Sequence, residues 1–137
     1  MKRLSLVVLL ASVLPASAAP FDVSDAWFRA LPGKLPAGGY FTAQNNTGRE
    51  VTITGAQSGA CGMLMIHQSS NKGGMSGMTM LDQVKLPPGG IVKFAPGGTH
   101  LMCEGAKMKP GDKVPVTIYL SGGAVTVAFA VRNAAGK

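Results

Sequence analysis

Acidic residues are scarce in this chain, six Asp and Glu against thirteen Lys and Arg. They supply no paired carboxylates for acid–base chemistry, and no Ser, His and Asp share a recognisable nucleophilic context, so the chain reads as a non-enzyme. Histidine is scarcer still, with only His67 and His100. The two cysteines, Cys61 and Cys103, are not a C-x-x-C pair, and no Cys, His and carboxylate cluster of the zinc kind is present. The formal charge is +7, but beyond Lys2 and Arg3 the cations are strung out singly from Arg29 to Lys137, and aromatics make up 6%. Nucleic-acid recognition wants a clustered basic face, which argues against it here. Past the N-terminus no apolar run is long enough to span a membrane.

The N-terminus itself is informative. Lys2 and Arg3 precede an almost wholly apolar Leu4–Leu14, and Ala16-Ser17-Ala18 offers small residues for cleavage. This is the pattern of a secretory signal peptide over residues 1–18, leaving 19–137 as one domain. Export places Cys61 and Cys103 in an oxidising compartment, where one disulfide is the default. Metal ligation or thiol redox by the cysteines is the competing reading.

The mature part is punctuated by Gly (19 in the chain) and Pro (9), which separate short apolar runs. No long 3.6-residue period is visible, so the reading is an all-β sandwich or barrel. Strands are expected over 21–30, 39–44, 51–54, 63–67, 78–86, 91–94 and 99–104. A final hairpin turns at Ser121-Gly122-Gly123, with Val114, Val116, Ile118 and Leu120 alternating before it and Val125, Val127, Phe129 and Val131 after it. Residues 69–77, rich in Gly and Ser, read as a loop.

Both histidines and six of the eight methionines fall between Met63 and Met102. Thioether sulfur is soft and needs no deprotonation, so with imidazole it favours Cu(I) over zinc, calcium or magnesium. On a strand, residues two apart share a face ~6.5–7 Å apart, so His100 and Met102 point the same way. Cys103 then faces the opposite side, and Cys61 can approach it from behind. His67 sits at a strand end before the glycine loop, and Met78 just after the loop. The candidate metal site is His67, Met78, His100 and Met102. Met63, Met65 and Met108 read as core filler. Met75 and Met80 are either substitute ligands or ordinary loop and strand residues. Trp27 and Tyr40 read as core or rim aromatics.

The spacing from His67 to Met102 is His, ten residues, Met, twenty-one residues, His, one residue, Met. It resembles the signature of the periplasmic copper chaperones called PCuAC. The flanks are similar too: Asp25-Ala26-Trp27-Phe28-Arg29-Ala30, Gly39-Tyr40-Phe41, Asn45, and Pro96-Gly97-Gly98 before His100. The resemblance covers nearly all of the mature chain. It implies a cupredoxin-like Greek-key β-sandwich or barrel in the periplasm. It also implies Cu(I) as cargo, delivery to the binuclear copper centre of cytochrome c oxidase, and cooperation with a Sco-type thiol protein. Some relatives add a His/Met-rich tail, but Asn133-Ala134-Ala135-Gly136-Lys137 carries no such donor. Two alternatives stay open. One is periplasmic copper storage or scavenging. The other is a blue-copper electron carrier, which would need a cysteine thiolate beside two histidines.

Overall fold

The computed structural model describes residues 19–72 and 74–137, and the leader assigned to 1–18 lies outside them. Ten strands are formed: β1 (Phe21–Arg29), β2 (Ala37–Asn45), β3 (Val51–Gln57), β4 (Met63–Lys72), β5 (Met75–Leu81), β6 (Val84–Leu86), β7 (Ile91–Phe94), β8 (Thr99–Glu104), β9 (Lys113–Leu120) and β10 (Gly123–Arg132). Among the described residues there is no helix.

The strands follow the order β5-β4-β8-β2-β1-β10-β9-β3-β6, with β7 also pairing β2. All pairings are antiparallel except β1 with β10. The two ends of this order, β5 and β6, are separated in sequence only by Asp82-Gln83. The sheet curls so that β3 also packs against β4, giving a nearly closed barrel that encloses one core.

That core follows from residue parity. Side chains alternate faces along a strand. Ile66 on β4, Leu101 and Cys103 on β8, Phe41 on β2 and Val116 and Ile118 on β9 all point inward and are buried. Phe28 meets Phe129 at 5.0 Å between ring centres, and Phe41 meets Phe94 at 4.3 Å. In β1 the parity changes once. The register steps from Ser24↔Thr42 to Trp27↔Tyr40, one extra residue on β1, and Asp25 takes φ 52°. This β-bulge lets Phe21 and Phe28, seven residues apart, both face the core. It also turns Trp27 and Arg29 outward beside Tyr40.

Two expectations need correction. Within 69–77, residues 69–72 and 75–77 are strand and not loop, and Gly73 lies outside the described residues. β4 runs on to Lys72 and β5 begins at Met75, with Ser69↔Met78, Ser70↔Gly77 and Lys72↔Met75 paired. The physical reason is a tight reversal that includes Gly74 at φ 77°, a conformation glycine adopts at no steric cost. The second concerns 78–86, which is two strands and not one. The chain leaves β4 at Asp82 to join β3 on the far edge.

Cys61 and Cys103 form a disulfide that closes a 42-residue separation and ties the segment before β4 to the inner face of β8. Replacing both by alanine should cost about 2–4 kcal/mol of stability, read from urea unfolding, because the unfolded chain regains the loop entropy the bond removes. A loss under about 0.5 kcal/mol would show that β4 and β8 hold without it.

Candidate metal centre

β4 lies between β5 and β8, and the register decides which side chains meet. His67 is directly opposite His100, and Met65 directly opposite Met102, across the β4–β8 pair. On the other side His67 is opposite Met80, and Ser69 opposite Met78. Residues opposite one another in an antiparallel pair share a face, and so do residues two apart. One outer face of three strands therefore carries Met65, His67, His100, Met102, Met78 and Met80. Ile66, Leu101 and Cys103, at the alternate parity, fill the core beneath.

The four candidates come together as neighbours on this face. Met78, His100 and Met102 border one cavity of about 470 Å³, with Arg29, Tyr40 and Ser69. His67 adjoins His100, the ring centroids 5.9 Å apart and the planes at 73°. Two imidazoles each bound at ~2.0 Å place their centroids up to ~6 Å apart across a shared ion, so the separation is compatible with one. His67 sits mid-strand and not at a strand end, and Met78 is a strand residue, not the first residue after a loop.

The ring of His100 is fixed from behind. It is buried, and its Nδ1 lies 2.9 Å from the Gly98 carbonyl oxygen. A carbonyl only accepts, so Nδ1–H is the donor and Nε2 keeps a free lone pair. This is the orienting arrangement usual for a metal-ligating imidazole. His67 has the opposite feature: its Nδ1 is buried with no hydrogen-bond partner among the described residues. An unsatisfied buried nitrogen is costly, and a bound cation is one way to satisfy it.

Tyr40 forms the wall beside His100, 6.5 Å between ring centroids. It stacks on Trp27 at 4.7 Å. The Arg29 guanidinium lies 5.5 Å from the Trp27 ring centre and 5.6 Å from that of Tyr40, and Arg132 lies 4.7 Å from Trp27. A Cβ at Gly38 would collide with the Tyr40 hydroxyl and come within 2.9 Å of Cζ, so glycine is what makes room for the tyrosine ring on this face. Sequence reading placed Tyr40 only as core or rim. Its site role was visible in the G-G-Y run, where the small residue two before an aromatic opens space on the same face.

The reading of Met63 and Met65 as filler is also corrected. Neither packs against the core cluster, whereas Met108 does. Met65 shares the face of the histidines, and Met63 is exposed. Among the described residues no three His, Cys, Asp or Glu come together. The disulfide consumes both thiols, so the thiolate a blue-copper site requires is not available.

An all-β barrel with imidazole and thioether donors on one outer face defines the class, a cupredoxin-like domain with a soft-donor face. A family profile described as "Putative lipoprotein LpqE-like" matches residues 21–131. The chain belongs to this PCuAC-type family. It is 33% identical over 120 residues to "Putative lipoprotein Lxx21020" of Leifsonia xyli subsp. xyli, covering 84% of this chain and 71% of that one. Its fold is similar to the copper-bound PCuAC domain from PmoF2, with TM-score 0.70, 25% identity, and coverage of 86% and 97% of the two chains. It is also similar to the Cu(I) form of DR1885 from Deinococcus radiodurans, with TM-score 0.64, 26% identity, and coverage of 78% and 74%.

The bond to Gly98 makes a specific tautomer observable. In a ¹⁵N–¹H correlation spectrum of the metal-free protein at mildly alkaline pH, His100 should show protonated Nδ1 and bare Nε2. The opposite tautomer would mean that the Gly98 carbonyl does not hold the ring.

Proposed function

We propose that the chain is a periplasmic copper chaperone that holds Cu(I) through His67, Met78, His100 and Met102 and passes it on without catalysing a reaction. The observation that carries this reading is the cross-strand pairing of His67 with His100, flanked on the same face by Met102 and Met78. All four would bind a metal as neutral groups. Among the described residues no carboxylate borders the cavity, and Arg29 does. A nearby guanidinium repels a dication twice as strongly as a monocation. That charge balance supports Cu(I) over Cu(II) or zinc. Copper bound to solved relatives of this fold supports the same cargo.

Delivery is supported by exposure. Met78 is 60% exposed on a strand paired only with β4, while His100 is buried and fixed. An acceptor's donor can displace the exposed thioether first while the histidines keep the ion, so release proceeds by stepwise ligand exchange. The acceptor proposed is the binuclear copper centre of cytochrome c oxidase, with a Sco-type thiol protein as co-worker. A leader over 1–18, ahead of a domain over 19–137, supports a periplasmic location. The naming of a relative as a lipoprotein supports export.

With one equivalent of Cu(I) under anaerobic conditions, X-ray absorption should show both nitrogen and sulfur scatterers. A Met78→Ala/Met102→Ala variant should lose at least tenfold in Cu(I) affinity, measured by competition with a chromophoric chelator. Unchanged affinity would overturn the ligand assignment.

A further inference from the structure

The signature donors do not exhaust the soft ligands on this face. Met80 is the residue directly across from His67 on β5, closer by register than Met78, which is directly opposite Ser69 and so diagonal to His67. Met65 is two residues from His67 on β4, on the same face. Directly opposed residues have Cβ atoms ~4.5–5.5 Å apart, and those two apart on a strand lie ~6.5–7 Å apart. Each thioether, with its three rotatable bonds, can reach a common point beside the imidazole.

Packing does not account for these two methionines. Met80 is 59% exposed, and neither it nor Met65 joins the core. Methionine is a flexible residue with no strong strand preference, so an exposed strand face gives little reason to choose it. Both residues border a second recess of about 180 Å³, distinct from the cavity of Met78, His100 and Met102. Asp82 borders it too, so a carboxylate stands near this end of the face, whereas Arg29 borders the other.

We propose that Met65 and Met80 form a second subsite for a soft monovalent cation, Cu(I) or Ag(I) in chemical class, with His67 as the group between the two positions. The proposal rests on the reading of His67 as a ligand. The subsite has two thioethers and a nearby negative charge, so it attracts a cation that the Arg29 end repels. It has no second imidazole, so it holds the ion more weakly than the primary set. A single ion can pass between the two positions by way of His67; with both filled, His67 stays on the primary ion and the two thioethers hold the second.

The test is methyl resonance of the methionines, using protein labelled with ¹³C at the methionine methyl and titrated anaerobically with Cu(I). The first equivalent should move the Met78 and Met102 methyls. The second should move Met65 and Met80, leaving Met63, Met75 and Met108 in place. A Met65→Leu/Met80→Leu variant, which preserves volume, should keep the first equivalent and lose the second. Stationary Met65 and Met80 signals through two equivalents, with Met78 and Met102 moving, would overturn the subsite alone. So would uptake of the second equivalent by the leucine variant. Stationary Met78 and Met102 signals with Met65 and Met80 moving would overturn the primary ligand set and leave the subsite standing.

Discussion

The two-residue alternation of β4 and β8 is the constraint on which the site depends. At one parity Ile66, Leu101 and Cys103 build the core. At the other, His67, His100 and Met102 stand outside it. Hydrophobic burial therefore fixes the orientation of the donors without touching them. A slip of one residue between these strands would expose the core and bury the imidazoles together, so the register that the fold selects strongly is the register the site needs. The donors gain their alignment from apolar groups on the far side of the sheet.

The surroundings stiffen that alignment. Gly98 holds His100 from its Nδ1 side, and Tyr40 lies against it in space left by Gly38. Tyr40 in turn rests on Trp27, which faces outward because the bulge at Asp25 shifts β1 by one residue. The buried Asn45 closes the end of β2 by donating to the Arg49 carbonyl at 2.7 Å and the Leu86 carbonyl at 3.1 Å. The result is a graded face. His100 on β8 is fixed, and Met78 and Met80 on β5, an end strand of the sheet order, are exposed.

Much of this was legible in the chain. The Val-x-Val alternation around Gly122-Gly123 marks a hairpin because apolar and small residues separate cleanly by parity. The spacing of His100 and Met102 puts two donors on one face by strand geometry alone, and the same rule sends Cys103 inward to Cys61. What was not legible has identifiable causes. Met63-Leu64-Met65-Ile66 is apolar at both parities, so nothing local says which methionines face the core. Gly74 marks a turn, but the Ser, Asn and Lys around it carry no strand propensity. Their pairing is imposed by β4 and β5 lying side by side. The one-residue bulge at Asp25 is invisible until β2 supplies a register to measure it against.

The disulfide has a consequence beyond holding β8 to the segment before β4. With Cys61 and Cys103 already joined, the domain keeps no thiol that could surrender an electron. Imidazole and thioether groups are poor reductants. On the proposed assignment, cupric ion has to be reduced before it reaches this face, and the electron must come from another molecule in the same compartment. On that assignment the fold carries the metal in one valence state and leaves the change of valence to its surroundings.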